Sequence, residues 1–377
     1  MSPTRPAILF VIYGLAPAGP ERRILDFARA FPERDDALDV HICVVGDDLT
    51  LLEEFQKTRA ALVHVPIRRP YVEWRRVQRV VEYIGTHDIR VVNSFNLKTL
   101  LVCAAAKLRH GPRVKLVHHL ISLWDDVSPA QQALTRAAMR AADAILCNGH
   151  AVRRHLIGDR RLTAPVSVIP NGVDCEHFRP MPELRACARA RFGLTDDEFV
   201  VGAVANIRPV KNYPFLLRAM TRLSASVPGA RLLCVGGGPQ LEETKALARS
   251  LGLADRVIFT GVTTDVRPFL AAMDAFALCS LREGNPNVVL QAMAAAVPVV
   301  SVDVGEVPYV VEHGCSGYVV GHDEAAFAGA LERLAGDARL RCAVGAAARR
   351  RVSESFSAPT MIAGYAALMH KVAAAGA

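Results

Sequence analysis

The sequence predicts an α/β protein built from two doubly wound, Rossmann-like parallel sheets. Short β-branched runs recur along the chain, and each is followed by a polar or glycine-containing turn and then by a helical stretch. This alternation is typical of parallel βα units. The runs fall into two sets, and a length of 377 residues is sufficient for two domains.

Each set supplies enough strands for one sheet. In the first half, the predicted strands are Ile8–Ile12, Val40–Val45, Leu62–Val65, Ile89–Val92, Lys115–His118 and Ala144–Cys147. In the second half, they are Phe199–Val204, Arg231–Val235, Arg256–Thr260, Ala275–Leu278, Pro298–Val302 and Gly317–Val320. Ligands of such sheets bind at the carboxyl ends of the strands, so we expect the site in a cleft where the two domains face each other.

The boundary between the domains is expected near Asn171-Gly172, which follows the last run of the first set, Val166–Ile169. Residues 1–171 would form the first domain and 172–360 the second, with the proline-containing stretch 178–182 as a linker. The alanine-rich stretch 361–377 is expected to be helical. One option is that this helix packs back onto the first domain, but its amphipathicity alone does not show whether it does.

Composition excludes several classes of protein. Hydrophobic residues make up 51% of the chain and charged residues 22%, which is not typical of disordered proteins. No apolar run approaches the ~20 residues of a membrane-spanning helix, and we interpret the apolar start, Ala7–Leu15, as a strand rather than a signal peptide. The nine cysteines include no C-x-x-C pair. This pattern predicts neither a zinc site nor a disulfide framework, and a reducing, cytoplasmic location fits it.

Positive charge is concentrated in one segment of a chain whose formal net charge is +8. The segment Arg68–Arg79 contains five arginines beside Tyr71 and Trp74. No nucleic-acid-binding module accompanies it, so we expect no nucleic-acid partner. Two interpretations stay open: a solvated helix face, or attraction to anionic phospholipid headgroups with Trp74 as an interfacial anchor.

A turn in the second half has the features of a phosphate site. A buried strand runs into Glu283–Pro286, and Pro286 suits the first turn of the helix that follows. The free amides of Asn287–Val289 would then lie at the positive end of the helix dipole, where a phosphate binds well. The Glu283 carboxylate either binds sugar hydroxyls or only complements the dipole.

Two further loops follow strands of the same predicted sheet. Arg208 and Lys211 lie between a strand and the helix Phe215–Leu223, where they either bind a diphosphate or remain surface cations. The loop Gly236–Pro239 lets a planar base or a phosphate approach the backbone closely. It is not the spaced glycine fingerprint of nicotinamide enzymes.

Together these motifs resemble retaining glycosyltransferases of family 4, which have the GT-B architecture. The first half matches more loosely: Ala18–Arg22 looks like the family's glycine-rich first loop, and His119 occupies a position where the family often has a histidine facing the donor. The closer matches cover most of residues 165–320 in the family's order: Val168–Asp174, Arg208–Lys211, Val235–Pro239, Val257–Gly261, Arg282–Ala296 and Pro298–Val300.

The resemblance implies transfer of a sugar from a UDP-, GDP- or ADP-sugar to a glycan or lipid-linked hydroxyl, with retained configuration and no metal or other cofactor. Surface polysaccharide, lipopolysaccharide or glycolipid assembly is the implied setting, possibly at the inner membrane face. The implied catalytic residues are Lys211, Arg208, Glu283 and His119. The implied donor-binding residues are Gly19, Asn206, Gly237, Gly238, Gly261, Val262, Gly284, Asn285, Asn287, Val288 and Gln291.

Some positions depart from the family's pattern. Gln291 stands where the family has a second glutamate, and Asn206 aligns with its usual phosphate-binding arginine. Ala18 and Pro20 stiffen the first loop. Two alternatives therefore stay open: a non-catalytic sugar-nucleotide-binding homologue or partner subunit, and a nucleotide-sugar epimerase of GT-B architecture.

Overall fold

The protein forms two α/β units. The computed structural model describes residues 5–16, 19–34, 38–69, 73–121, 128–154, 156 and 162–375. One unit comprises Met1–Pro170 and Met361–Ala377, and the other comprises Asn171–Thr360. Each contains a parallel sheet with helices between its strands, which is the predicted fold class.

The first unit has a seven-stranded sheet in the order β3-β2-β1-β4-β5-β6-β7. Its strands are β1 (Ala7–Ile12), β2 (Asp39–Val44), β3 (Ala61–His64), β4 (Ile89–Ser94), β5 (Lys115–Leu120), β6 (Ala144–Cys147) and β7 (Val166–Val168). Its helices are α1 (Gly19–Ala30), α2 (Leu52–Gln56), α3 (Trp74–Thr86), α4 (Leu97–His110), α5 (Pro129–Met139) and α6 (His150–Arg154), with 3-10 turns at Phe31–Glu33 and Gly111–Arg113.

The second unit has a six-stranded sheet in the order β10-β9-β8-β11-β12-β13. Its strands are β8 (Phe199–Val204), β9 (Ala230–Val235), β10 (Val257–Phe259), β11 (Ala275–Leu278), β12 (Val299–Val302) and β13 (Gly317–Val320). Its helices are α7 (Pro182–Arg191), α8 (Tyr213–Ser226), α9 (Leu241–Ser250), α10 (Arg267–Ala272), α11 (Asn287–Ala294), α12 (Val307–Val310), α13 (Glu324–Gly336) and α14 (Ala338–Ser355), with a 3-10 turn at Pro209–Lys211. The last helix, α15, spans Ala358–Ala374.

Strand order reverses at one place in each sheet. In the first sheet the reversal lies between β1 and β4, and in the second between β8 and β11. The loops that leave two such neighbouring strands diverge to opposite faces of the sheet and leave a crevice at the carboxyl edge. Residues after β8 and β11 are therefore placed to contact a common ligand.

The stretch that was expected to be a linker belongs to the second unit. Phe178 packs against the hydrophobic core of that unit, and α7 begins at Pro182. Val173 pairs with Ser357 in an isolated parallel bridge, so the start and the end of the second unit lie side by side. The chain passes between the units at Pro170–Asn171.

The C-terminal helix α15 completes a core of the first unit. Six of its side chains are buried there with residues of β1, β2 and α1: Met361, Ile362, Tyr365, Ala366, Met369 and Val372. The Tyr365 ring lies 4.3 Å from that of Phe27, centroid to centroid. Its hydroxyl accepts a hydrogen bond of 3.3 Å from Arg23 Nη1.

Helix α3 begins at Trp74 and carries three arginines of the arginine-rich segment, whereas Arg68 and Arg69 precede it. Its apolar face is buried through Val77, Val80, Val81 and Ile84, whereas Trp74 is 54% exposed and Arg75 and Arg79 are exposed. Tyr71 lies outside the described residues. None of the helices within the described ranges is long and apolar enough to cross a membrane.

The packing of α15 predicts a large effect of one side chain. We expect Tyr365→Ala to lower the free energy of unfolding by about 3–5 kcal/mol, because it leaves a cavity beside Phe27. Tyr365→Phe should cost about 1 kcal/mol, since it removes only the hydroxyl that Arg23 contacts. Urea denaturation measures both.

The control is Leu108→Ala on α4, where the side chain is 87% exposed and a change within about 0.5 kcal/mol is expected. A Tyr365→Ala protein as stable as this control would show that α15 does not pack as described.

Candidate functional site

Three loops at the carboxyl edge of the second sheet are joined by backbone hydrogen bonds. Ile207, in the loop after β8, donates to the carbonyl of Gly237 at 2.8 Å. Gly236, in the loop after β9, donates to the carbonyl of Gly261 at 2.9 Å. The loops after β8, β9 and β10 therefore form one continuous surface, as expected for a ligand-binding edge.

Glycine is required where two of these loops meet. Gly236 has φ +134°, and a Cβ atom at this position would overlap the carbonyl oxygen of Ala205. Gly238 has φ +154°, and a Cβ there would overlap Asn206 Oδ1 and the carbonyl oxygen of Ile207. Any side chain would separate the loops, so the glycines permit the close backbone approach that the sequence predicted.

Gly261 differs from these glycines, because its φ is +77° but the space beside it is open. The next residue, Val262, is 84% exposed and lies next to Gly237. An exposed valine beside a glycine loop presents an apolar surface against which a planar base can pack.

An ion pair joins the loops that leave β8 and β11. Lys211 Nζ lies 2.6 Å from Glu283 Oε1, and the two side chains are only 25% and 12% exposed. Lys211 ends the 3-10 turn, and Asn212 then adopts a left-handed conformation with φ +53° that turns the chain into α8. Leu281 also donates to the Val210 carbonyl at 2.8 Å, so both loops are held at backbone level as well.

Helix α11 begins with two amides that form no hydrogen bond within the described part of the chain. Pro286 is the N-cap residue and Asn287 the first helical residue, one position later than expected. The expectation of three free amides was wrong for Val289, whose N–H donates to the Pro286 carbonyl at 3.0 Å. The amides of Asn287 and Val288 remain available to an anion.

Two residues that sequence reasoning did not assign to the site support this turn. Asn171 Nδ2 donates to Asn287 Oδ1 at 2.7 Å, which fixes the first side chain of α11. Gly305 has φ +56°, and a Cβ there would overlap the Glu283 carbonyl oxygen. The sequence could have indicated Gly305, because it is a glycine three residues after a buried strand. For Asn171, the sequence gave no sign of a role in the site beyond its place in a matching motif.

The other predicted residues of this unit lie around the ion pair or at its margin. Gly284 accepts a hydrogen bond of 2.9 Å from the Glu306 amide, and the next residue is Asn285. Gln291 lies on α11, one turn after Asn287, and is half-buried. Arg208 and Asn206 are exposed, and no described residue pairs with the Arg208 side chain. The structure thus groups Lys211 with Glu283 and leaves Arg208 separate.

In the first unit, His119 is part of strand β5, which extends two residues further than predicted. It is 1% exposed, and its Nε2 lies 2.9 Å from Asn93 Oδ1. Burial, with the charges of His118 and Arg23, holds the pKa of the His119 imidazole well below its ordinary value. Of the predicted first loop, Ala18–Arg22, Ala18 lies outside the described residues, and the rest is not a loop, because Gly19 is the first residue of α1.

Metal-binding geometry is not found in the described ranges, which contain no group of three or more His, Cys, Asp or Glu side chains that could hold an ion. Glu283 of the Lys211–Glu283 pair precedes Asn287, the first residue of α11, by four positions in the chain. This edge therefore offers a phosphate group a partly buried cation and the amides of α11.

Comparisons with known proteins agree with this geometry. Residues 17–177 match the family model for Glycosyltransferase Family 4, and residues 198–337 match that for Glycosyl transferases group 1. The chain is 33% identical to the GDP-mannose-dependent alpha-(1-6)-phosphatidylinositol monomannoside mannosyltransferase of Mycolicibacterium smegmatis over 79% of this chain and 81% of that protein. The chain belongs to glycosyltransferase family 4.

As a family-4 glycosyltransferase, the protein is an enzyme that moves a sugar from a nucleotide-sugar to a hydroxyl acceptor with retained configuration. Among solved structures, Anabaena HepE in complex with UDP is 25% identical, with a TM-score of 0.81 over 97% of this chain and 100% of that chain. A glycosyltransferase of Rickettsia africae, at 17% identity and a TM-score of 0.84 over 98% and 99% of the two chains, shares the fold. The predictions of the family, the fold and the enzyme class are confirmed.

The loop geometry predicts different effects for two glycine substitutions in this glycosyltransferase. Gly236→Ala should lower the free energy of unfolding by about 2–5 kcal/mol, because it combines overpacking against Ala205 with backbone strain. Gly261→Ala should cost about 1–2 kcal/mol, since it adds the strain without the overlap. Urea denaturation compares the two, and equal losses would contradict the close approach of the loops after β8 and β9.

Proposed function

We propose that sugar transfer takes place at the edge where the Lys211–Glu283 ion pair meets the free amides of α11, and that it requires no metal ion. The observation that carries this proposal is the 2.6 Å separation of Lys211 Nζ and Glu283 Oε1. It brings a cation and an acceptor-only carboxylate to one place, and the two amide donors of α11 follow Glu283 by four and five residues in the chain. These are the groups that a sugar diphosphate needs.

The chemistry follows from the charges. When the bond between the anomeric carbon and the phosphate oxygen breaks, negative charge develops on the departing diphosphate. The Lys211 ammonium and the amides of Asn287 and Val288 stabilise that charge, and the helix dipole adds to the effect. The acceptor hydroxyl then bonds to the anomeric carbon on the face that the diphosphate leaves, and its proton passes to an oxygen of the departing diphosphate.

Donor binding changes the partner of each charged group. Without donor, Glu283 balances the charge of Lys211. With donor bound, the diphosphate replaces Glu283 as the partner of the Lys211 ammonium. The Glu283 oxygens then accept hydrogen bonds from sugar hydroxyls. Arg208, which is exposed at the start of the 3-10 turn, is placed to move toward the diphosphate as a second cation.

For the substrates, we propose a UDP-, GDP- or ADP-sugar as donor and a glycan or lipid-linked hydroxyl as acceptor, in surface polysaccharide, lipopolysaccharide or glycolipid assembly. The relatives support this range, since the Mycolicibacterium smegmatis enzyme uses GDP-mannose and a phosphatidylinositol mannoside, and HepE binds UDP. A thermal-shift screen against the three donor classes identifies the base, because a ligand at 100 times its Kd adds about 2.7 kcal/mol of stability.

The alternatives that the sequence left open, a sugar-nucleotide-binding homologue without transferase activity and an epimerase, depend on one position and are tested directly. Gln291 carries no charge where the family has a glutamate. Binding of a donor without turnover across a broad panel of acceptors would support this candidate, and conversion of the donor without any acceptor would indicate an epimerase. Gln291→Glu should raise donor affinity if residue 291 contacts the ribose.

Lys211→Met should lower kcat for sugar transfer by about 10²–10³-fold, because the leaving diphosphate loses its closest cation. Steady-state kinetics with the donor identified by thermal shift measure the effect. The matched control is Lys245→Met, which breaks the exposed Lys245–Glu242 pair in the same unit and should leave kcat unchanged. Equal kcat values for Lys211→Met and the control would refute the assigned role of Lys211.

We also propose that the enzyme associates peripherally with the cytoplasmic face of an anionic membrane through helix α3. Exposed Trp74, Arg75 and Arg79 lie on its solvent side, opposite the buried valines. Each cation near such a surface is worth about 1 kcal/mol, and an exposed tryptophan suits the headgroup region.

Charge reversal on α3 should abolish this association. In a flotation assay, we expect wild type to bind vesicles containing phosphatidylglycerol but not neutral phosphatidylcholine vesicles, and Arg75→Glu/Arg79→Glu to lose binding. Lys245→Glu/Arg249→Glu, with the same charge change and spacing on α9, should bind like wild type. Equal flotation of wild type with both kinds of vesicle would remove the membrane proposal.

A further inference from the structure

The carboxylate of the ion pair is held in place by the main chain around it. Leu281 donates to the Val210 carbonyl at 2.8 Å, and Glu306 donates to the Gly284 carbonyl at 2.9 Å. These hydrogen bonds fix the main chain on both sides of Glu283, whose side chain is only 12% exposed. The carboxylate therefore stays mostly buried when its partner moves away.

The ammonium of the pair, in contrast, can move while its loop stays in place. The Lys211 amide donates to the Arg208 carbonyl at 2.9 Å, and the Lys211 carbonyl accepts from Cys279 Sγ at 3.3 Å. The main chain of Lys211 is thus fixed, but Nζ ends a flexible four-carbon chain. A diphosphate can draw the ammonium away from Glu283 while both loops keep their positions.

Separating the pair has a cost that depends on the ligand. Withdrawal of Lys211 leaves the mostly buried Glu283 carboxylate without its counter-charge, which is unfavourable. A sugar compensates for this loss, because its hydroxyls donate charge-assisted hydrogen bonds to a carboxylate. An ionised diphosphate group has acceptor oxygens only and offers the carboxylate no hydrogen bond. A site whose buried polar group is left unpaired discriminates strongly against a ligand that lacks the matching hydroxyl.

We propose that Glu283 competes with the diphosphate for Lys211, and that this competition makes the enzyme prefer an intact nucleotide-sugar to the nucleoside diphosphate that it releases. The proposal rests on the proposed function, in which the donor binds at this pair. It gives Glu283 a specificity-determining role in addition to sugar binding. After transfer, the sugar hydroxyls leave with the glycosylated acceptor, and the ion pair re-forms as the diphosphate departs.

Inorganic pyrophosphate tests the competition without a base, a sugar or an acceptor. Glu283→Gln keeps the shape of the side chain but removes its charge, so isothermal titration calorimetry should show pyrophosphate binding about tenfold more tightly than in wild type. Glu242→Gln is the matched control, because it makes the same change in the exposed Lys245–Glu242 pair and should bind pyrophosphate like wild type. Equal affinity of Glu283→Gln and wild type for pyrophosphate would overturn the proposal.

A double-mutant cycle separates competition from simple repulsion between Glu283 and any anion. If Glu283 acts through Lys211, adding Glu283→Gln to Lys211→Met should raise the affinity for pyrophosphate much less than adding it to wild type. The same gain in both backgrounds would mean that Glu283 only repels the anion, and it would overturn the proposal.

The preference for an intact donor is measured with two ligands of equal charge. One is the nucleotide-sugar whose base the thermal-shift screen identifies, and the other is the β-methyl ester of the same nucleoside diphosphate, which lacks the sugar hydroxyls. Wild type should bind the nucleotide-sugar more tightly, and Glu283→Gln should reduce the ratio of the two dissociation constants about tenfold. A ratio that Glu283→Gln leaves unchanged would contradict the proposal.

Turnover and binding distinguish a failure of this proposal from a failure of the proposed function. If wild type transfers no sugar to any acceptor but the affinities change as expected, sugar transfer at this site is refuted and the competition stands. If pyrophosphate, UDP, GDP and ADP all fail to bind to wild type and to Glu283→Gln, the proposed diphosphate site is refuted, and the competition with it.

Discussion

The contact between the Lys211 ammonium and the Glu283 carboxylate is the interaction on which the candidate site depends. Both side chains are mostly buried, so an unpaired charge on either would be costly. Each group therefore needs the opposite charge of the other. The pair also spans the reversal of strand order between β8 and β11. It therefore keeps the two loops that bound the crevice at a fixed separation when no donor is present.

The rest of the edge is built so that backbone, rather than side chains, faces the ligand. Glycines at positions 236 and 238 let the loops after β8 and β9 touch, and Gly305 lets a third loop reach the carbonyl of Glu283. The amides of Asn287 and Val288 complete the arrangement, with Asn171 fixing the first residue of the helix. Backbone amides of this kind suit the diphosphate group that we propose as the ligand.

Local sequence predicted the strands well because parallel, fully buried strands need continuous β-branched runs. All twelve predicted strands are present, and Ala144–Cys147, Phe199–Val204, Ala275–Leu278 and Gly317–Val320 have the predicted limits. The sequence placed Lys211 and Glu283 after strands of one doubly wound sheet, whose carboxyl edge is where ligands bind. Contacts between side chains distant in sequence could not be predicted in this way: Asn93 reaches Leu9 across 84 positions, and Asn171 reaches Asn287 across 116. The amide of Val289 was misassigned because the start of α11 depends on how Pro286 caps it.

The most direct test of the account is a crystal structure of the enzyme with the nucleoside diphosphate that stabilises it. The account predicts that Lys211 Nζ leaves Glu283 and lies within hydrogen-bonding distance of a phosphate oxygen, and that the Asn287 and Val288 amides donate to the same diphosphate. A diphosphate bound elsewhere, with the Lys211–Glu283 pair intact, would contradict it.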